Sequence, residues 1–159
     1  LILDDIIKST KESITEIRSL SHNLYPLNEE EFLCDAISKL ISRHKNIPLK
    51  FVFNVDGKKP LQNDLIITTN VYRVLQEFIN NTIKYAKASQ ISINVTYNNS
   101  IMVVKIEDDG CGFDLNSIKS NNGIGIDNMK QRIKIIEGSF DLTSKINVGT
   151  KLVIQIPLN

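Results

Sequence analysis

Glu77, Asn81 and Lys84 stand four and three residues apart within Arg73-Val74-Leu75-Gln76-Glu77-Phe78-Ile79-Asn80-Asn81-Thr82-Ile83-Lys84-Tyr85-Ala86. At about 100° per residue, a helix here would gather a carboxylate, an amide oxygen and a cation into one narrow arc. Asp108, followed by Gly110 and Gly112, offers a second carboxylate at a strand end, with glycines that let backbone come close to a planar or anionic ligand. Gly123-Ile124-Gly125 precedes a predicted helix, where free N–H groups and the positive end of the macrodipole favour phosphate. Brought to one edge, these features could hold an aromatic base on a carboxylate, a polyphosphate over a helix start, and a divalent cation on an amide oxygen. Mg²⁺ suits such a site, because it takes few protein ligands and completes its shell with water and phosphate oxygens.

Singly, each feature is a common one. A Glu, an Asn and a Lys often share a solvated helix face, Asp-Asp-Gly often only turns the chain, and Gly-x-Gly before a helix is often only a loop. The dinucleotide-binding and Walker fingerprints are both absent, since neither the Gly-x-Gly-x-x-Gly spacing nor a glycine loop ending in Lys-Ser/Thr occurs. Order and separation distinguish the set.

The elements that must position these residues follow from hydrophobic periodicity. Val71, Val74, Leu75, Phe78 and Thr82 lie about a third of a turn from the polar trio, so a central helix from about Asp64 to Ala88 can bury one stripe and present the other to a cleft. Ahead of it, Ile2 to Leu24 carries a long apolar stripe that asks for a coiled-coil or hairpin partner, and Tyr25-Pro26 ends it. Asn28 with Glu29, Glu30 and Glu31 predicts the N-terminus of a second helix through Ile41, closed by Asn46-Ile47-Pro48. Leu49 to Val55 reads as a strand, with Asp56-Gly57 as its turn. Ile91, Ile93, Val95 and Tyr97 alternate strictly, and with Ile101 to Ile106 they predict a hairpin. A helix from about Ile126 to Ile136 and strands near Ser139–Ser144 and Lys151–Pro157 follow, with Gly149-Thr150 at the last turn. The expected class is α+β, an α/β sandwich whose mixed sheet is covered on one face by helices.

The 159 residues, 42% apolar and 23% charged, fit one globular domain of ordinary size. A net charge of +1 without a basic run disfavours nucleic acid and anionic membrane surfaces as partners. Cys34 and Cys111 are far apart and in no metal-type spacing, which suits a reducing compartment. No stretch is predicted to span a membrane. The chain starts at Leu1, without Met, inside a predicted helix, and reads as part of something longer.

The chain resembles the catalytic, ATP-binding domain of a sensor histidine kinase, with the Bergerat fold shared with gyrase and mismatch-repair ATPases. Glu77, Asn81, Lys84, Tyr85 and Ala86 resemble the N box, Asp108-Asp109-Gly110-Cys111-Gly112-Phe113 the first glycine box, and Gly123-Ile124-Gly125-Ile126 with Met129, Arg132 and Gly138 the second. Gly149-Thr150 resembles the last Gly-Thr turn. The resemblance runs from about Phe32 to Leu158. It implies ATP and Mg²⁺ as cofactors, with Asn81 on the metal, Asp108 on the adenine amino group, Glu77 near the metal-side water and Lys84 near phosphate. Gly110, Gly112, Gly123, Gly125 and Thr150 would complete the nucleotide site, and Asp114 to Gly125 the ATP lid. Tyr85 stands where the family usually has His, so no phosphate contact is carried over to it.

Ile17 to Pro26 is similar to the end of the second helix of the dimerisation hairpin in kinases related to nitrate sensors. The expected domains are therefore 1–26, the last helix of that hairpin, and 27–159, the catalytic domain. Ser21-His22-Asn23-Leu24 also resembles a phosphoacceptor box, but its proline comes one residue early and no second hairpin helix fits after it. His22 is thus expected to be structural, with the acceptor upstream of Leu1, and His44 to be merely exposed. The resemblance further implies a response regulator as partner, a homodimer in the full-length protein, and a cytoplasmic location with any membrane anchor in upstream segments. An anti-sigma-type ATPase or serine kinase of the same fold, and a catalytically dead docking module, are the alternative classes.

Overall fold

The computed structural model describes residues 32–58, 60, 64–98, 100–115 and 124–158. The predicted helix over Ile2 to Leu24, the Asn28 cap with its three glutamates, His22 and Gly123 lie outside them. The described elements run α1 (Leu33–Ser42), β1 (Lys50–Gly57), α2 (Leu65–Asn81), a π-helical turn (Thr82–Ala86), β2 (Gln90–Asn98), β3 (Ile101–Asp108), α3 (Ile124–Ile135), β4 (Ser139–Lys145) and β5 (Gly149–Pro157). They form one five-stranded sheet in the order β1-β2-β3-β5-β4. β1 and β2 pair in parallel across the α2 crossover, and the other pairs are antiparallel, so the sheet is mixed as expected.

Strand alternation decides which face is which. Ile93, Ile106, Leu152 and Leu142 form one lateral row across β2, β3, β5 and β4, and Val95, Val104, Ile154 and Phe140 form the next. The first three residues of each row are fully buried. They join Leu33, Ile37 and Leu40 of α1, Val71, Leu75, Phe78 and Ile79 of α2, and Met129 and Ile133 of α3 in one core. Removing a side chain such as Ile106 to Ala would cost about 3 kcal/mol through lost burial and the cavity left behind. The opposite face carries Ser92, Glu107, Lys151 and Thr143 in one row, with Lys105 and Glu107 paired at 2.8 Å. The face turned away from the described helices therefore carries a polar row.

Three local readings are corrected. Asp56-Gly57 does not turn the chain but ends β1, with Gly57 opposite Tyr97; a Cβ there would stand 2.0 Å from the Tyr97 carbonyl oxygen, so glycine serves close approach. Gly149 and Thr150 begin β5, and the turn itself is Ile146–Val148. Gly125 lies inside the first turn of α3 rather than ahead of it. No described helix is long and apolar enough to cross a membrane.

Candidate functional site

Asp64 starts α2 as its N-cap, its side chain accepting from the Ile66 and Ile67 N–H groups. In the last turn and a half of this 17-residue helix the apolar stripe reaches Phe78 and Ile79, and the polar face reaches Glu77 and Asn81. The Asn81 amide nitrogen donates to Glu77 Oε1 at 3.3 Å, which leaves the Asn81 carbonyl oxygen as the acceptor not used in that pair. α3 meets α2 at this point. A Cβ on Gly125 would come within 2.8 Å of Glu77 Oε1 and 3.7 Å of Asn81 Nδ2, so the missing side chain admits the helix start to the carboxylate–amide pair. Gly125 is among the first residues of α3, whose N–H groups have no intrahelical acceptor.

Past Asn81 the backbone widens into the π turn Thr82–Ala86, and Lys87, at φ 50°, ends it in the left-handed region. Single π turns are frequent at functional sites because they re-aim side chains and free carbonyls. Here the freed Ala86 carbonyl accepts from the Cys111 N–H at 2.7 Å. Gly110 lies so close to Ala86 that a Cβ would meet its carbonyl oxygen at 2.5 Å. The end of the central helix is thus stitched to the first glycine segment.

Asp108 sits where the inward-facing rows of the sheet turn polar. One step beyond Ile93–Ile106–Leu152 the row reads Ile91, Asp108, Thr150 and Ser144. Asp108 is 8% exposed. Its Oδ1 accepts from the Gly110 N–H at 2.8 Å and its Oδ2 from the Thr82 hydroxyl at 3.1 Å. Burial pushes the carboxyl above its ordinary range, opposed by hydrogen bonds from Gly110, Thr82 and the Thr150 backbone, and helped by the neighbouring Asp109 charge. Asp109 points the other way: it accepts from the Ser89 hydroxyl and the Ser89 and Gln90 N–H groups, which hold it below the usual range.

The β4–β5 turn closes this end. Gly112, at φ 58°, and Gly149, at φ 122°, would each place a Cβ 2.0 Å from a backbone oxygen, that of Lys145 and of Asp108 respectively. Asn147 N–H donates to the Cys111 carbonyl at 2.6 Å. Ser144 Oγ accepts from the Phe113 N–H at 2.9 Å and lies 3.0 Å from Thr150 Oγ1, joining the glycine segment to the start of β5. A cleft of about 450 Å³ opens at the same end of the sheet, reached from the polar face by Ser92, Glu107, Thr143 and Lys151 and touching Asp108 and Thr150. Its lining comes from the sheet and the β4–β5 turn, not from α2 or α3.

The structure therefore brings Glu77, Asn81 and Gly125 together at one point, and Asp108, Gly110 and Thr150 at another, with Gly112 bracing the second against the β4–β5 turn. The π turn joins them, its first residue, Thr82, following Asn81 directly. Lys84 and Tyr85 lie exposed on that turn, Tyr85 at 72%. Among the described residues no cluster of three or more His, Cys, Asp or Glu could hold a metal by itself. Sequence reasoning missed Thr82 and Ser144 as functional positions. Thr82 was visible as a polar residue in an otherwise apolar stripe, and Ser144 as the third member of the inward alternation Phe140, Leu142, Ser144.

Residues 67–159, more than half of the chain, match the family model described as histidine kinase-, DNA gyrase B-, and HSP90-like ATPase. The chain is 27% identical over 154 residues to the sensor protein VraS of Staphylococcus saprophyticus, covering 96% of its own length and 43% of the relative's. It therefore spans less than half of that protein. In fold it is similar to the histidine kinase AdeS of Acinetobacter baumannii, at a TM-score of 0.66 and 20% identity over 96% of this chain and 80% of that one. A likeness to the histidine kinase domain of the Erythrobacter litoralis EL346 blue-light activated kinase has a TM-score of 0.63 and 14% identity, over 86% and 68% of the two chains. By the family match, this chain belongs to the histidine kinase-, DNA gyrase B- and HSP90-like ATPases.

Proposed function

We propose that this chain is the ATP-binding catalytic core of a sensor histidine kinase, transferring the γ-phosphoryl of ATP to a histidine on a dimerisation helix for relay to a response regulator. The observation that carries this is the buried Asp108, tethered through both carboxylate oxygens and joined by one π turn to the Glu77–Asn81–Gly125 cluster. The donor set fits Mg·ATP. Asp108 is an acceptor for an exocyclic amino group, and Gly110, packed against Ala86 where a Cβ would not fit, holds its N–H on the same carboxylate. The Asn81 carbonyl oxygen is a hard ligand of the kind Mg²⁺ takes alongside water and phosphate. Bound Mg·ATP would supply the transferable phosphoryl group, a reaction that asks of the protein mainly positioning and charge neutralisation.

In this reading Glu77 orients Asn81 through the shared hydrogen bond and accepts from metal-side water. The first N–H groups of α3, which lack intrahelical acceptors, would face phosphate, with Gly125 at that helix start and Gly123 carried over from the sequence resemblance. Lys84 neutralises phosphate charge, and Thr150, fixed by Ser144, completes the base side with Gly112. The relative named a sensor protein supports reading the chain as part of a sensor; the proposal extends to a homodimeric two-component protein whose catalytic domain works on the cytoplasmic side, with any membrane anchor elsewhere in the protein. Residues 27–159 would form that catalytic domain and 1–26 the last helix of the dimerisation hairpin, with His22 structural.

Calorimetry with a non-hydrolysable ATP analogue and Mg²⁺ tests the site. Binding by the native chain that is lost in Asn81→Ala is expected, and no binding by either would favour a docking module. Incubation with radiolabelled ATP should leave this chain unlabelled. Acid-labile phosphate on it, lost in His22→Gln, would instead make His22 the acceptor.

A further inference from the structure

We infer that Thr82 is a positioning residue that holds Asp108 in its acceptor role and so sets the preference for 6-amino over 6-keto purines, an inference that rests on the nucleotide site proposed above. Thr82 is 4% exposed and opens the π turn. Among the described residues it is the one side chain that donates to Asp108; the other donors, from Gly110 and Thr150, are backbone groups. A carboxylate has about four lone-pair sites, so with Gly110 on Oδ1, Thr82 on Oδ2 and the Thr150 backbone group also donating, capacity for one further donor remains. An adenine-type base offers such a donor at position 6. A 6-keto purine offers an acceptor there, and two acceptors facing each other in a half-dry site leave both unpaired.

The hydroxyl at residue 82 bears on this choice in two ways. It fixes the rotation of the carboxylate by tethering the oxygen that Gly110 does not hold. It also favours the anion in a place where burial favours the protonated acid. An Asp108 without that donor would be freer to turn and readier to carry a proton, and a protonated carboxyl can donate to a 6-keto oxygen. The hydroxyl is thus expected to act on discrimination between bases, whereas a purely structural hydrogen bond would affect every nucleotide alike.

Competition against a fluorescent ATP analogue, with Mg·ATP and Mg·ITP as competitors, reads this directly in the native chain, Thr82→Val and Thr82→Ser. Thr82→Val should lose about tenfold in ATP affinity and much less in ITP affinity, so that the ATP-to-ITP ratio falls. Thr82→Ser, which restores the hydroxyl, should return the ratio to within about twofold of the native value. Circular dichroism checks that each variant folds, and Thr82→Ala carries the same comparison if valine does not. An unchanged ratio in the folded variant overturns the inference while leaving the ATP site standing. A native chain that binds neither nucleotide overturns the site and the inference together.

Discussion

Where a base would sit, Asp108 receives donors on both oxygens, Gly112 and Gly149 lie against backbone oxygens, and Ser144 ties the glycine segment to β5. Where a metal would sit, Glu77 and Asn81 are half-buried, share one 3.3 Å hydrogen bond, and meet the start of α3 where Gly125 lacks a side chain. The first region is made of backbone packed on backbone. The second is made of side-chain chemistry displayed on a helix whose own fold does not need it. Changes at the base end should therefore surface as lost stability, and changes at the metal end as lost affinity in a chain that still folds.

Gly149→Ala should test the first half most severely. Its Cβ would collide with the Asp108 carbonyl at a φ that disfavours side chains, and about 4 kcal/mol of unfolding free energy should be lost in a urea titration. An unchanged midpoint would break the contrast. Asn81→Ala should do the reverse, costing about 100-fold in Mg²⁺-dependent nucleotide affinity, about 3 kcal/mol, while the urea midpoint stays in place. Gly125→Ala sharpens the distinction further, because the two effects should have opposite signs. Alanine suits a helix better than glycine by about 0.5–1 kcal/mol, yet its Cβ would push Glu77 aside and weaken nucleotide binding about tenfold by calorimetry. Ser144→Ala should cost about 1 kcal/mol, the worth of a part-buried hydrogen-bond hub, with a small loss of affinity beside it.

The neighbouring carboxylates give the smallest and most diagnostic effect. Asp108, raised by burial, binds a proton more readily folded than unfolded, so its contribution to stability falls as pH rises from the ordinary carboxylate range through its raised value. Nucleotide affinity should rise through that same window, as the acceptor forms. Asp109, lowered by its bonds to Ser89 and Gln90, contributes stability that is present above the ordinary range and lost as pH falls through its lowered value. Unfolding free energy against pH for the native chain, Asp108→Asn and Asp109→Asn should separate the two slopes by sign.

Much of this arrangement was legible because two periods survive in the residues. Alternation from Ile91 to Tyr97 placed the inward face of β2, and the four-residue step of α2 placed Glu77 beside Asn81. The π turn was not legible, since Thr82-Ile83-Lys84-Tyr85-Ala86 holds no glycine or proline to mark a change of backbone. For that reason the expected alignment of Lys84 with Glu77 and Asn81, drawn at a constant 100° per residue, does not extend through the wider turn. Gly57 and Gly149 misled for another reason. Glycine was read as a turn former, whereas both sit in strands where only its lack of a Cβ lets a neighbouring carbonyl approach.

Three acidic residues stand in succession where β3 ends, Glu107 and Asp108 in the strand and Asp109 just past it, and they meet three different fates. Glu107 joins the charged outer face, Asp108 enters the interior, and Asp109 caps the start of β2. Deleting one residue within β3 would send the carboxylate of Glu107 or Asp109 inward and leave Asp108 in water, because strand side chains change face at every step. Insertions between Asn98 and Ile101 would instead be taken up by the hairpin connection, leaving the register of β3 against β5 intact. Length changes in this family member should therefore be tolerated at the hairpin tip and forbidden within the eight residues that follow it.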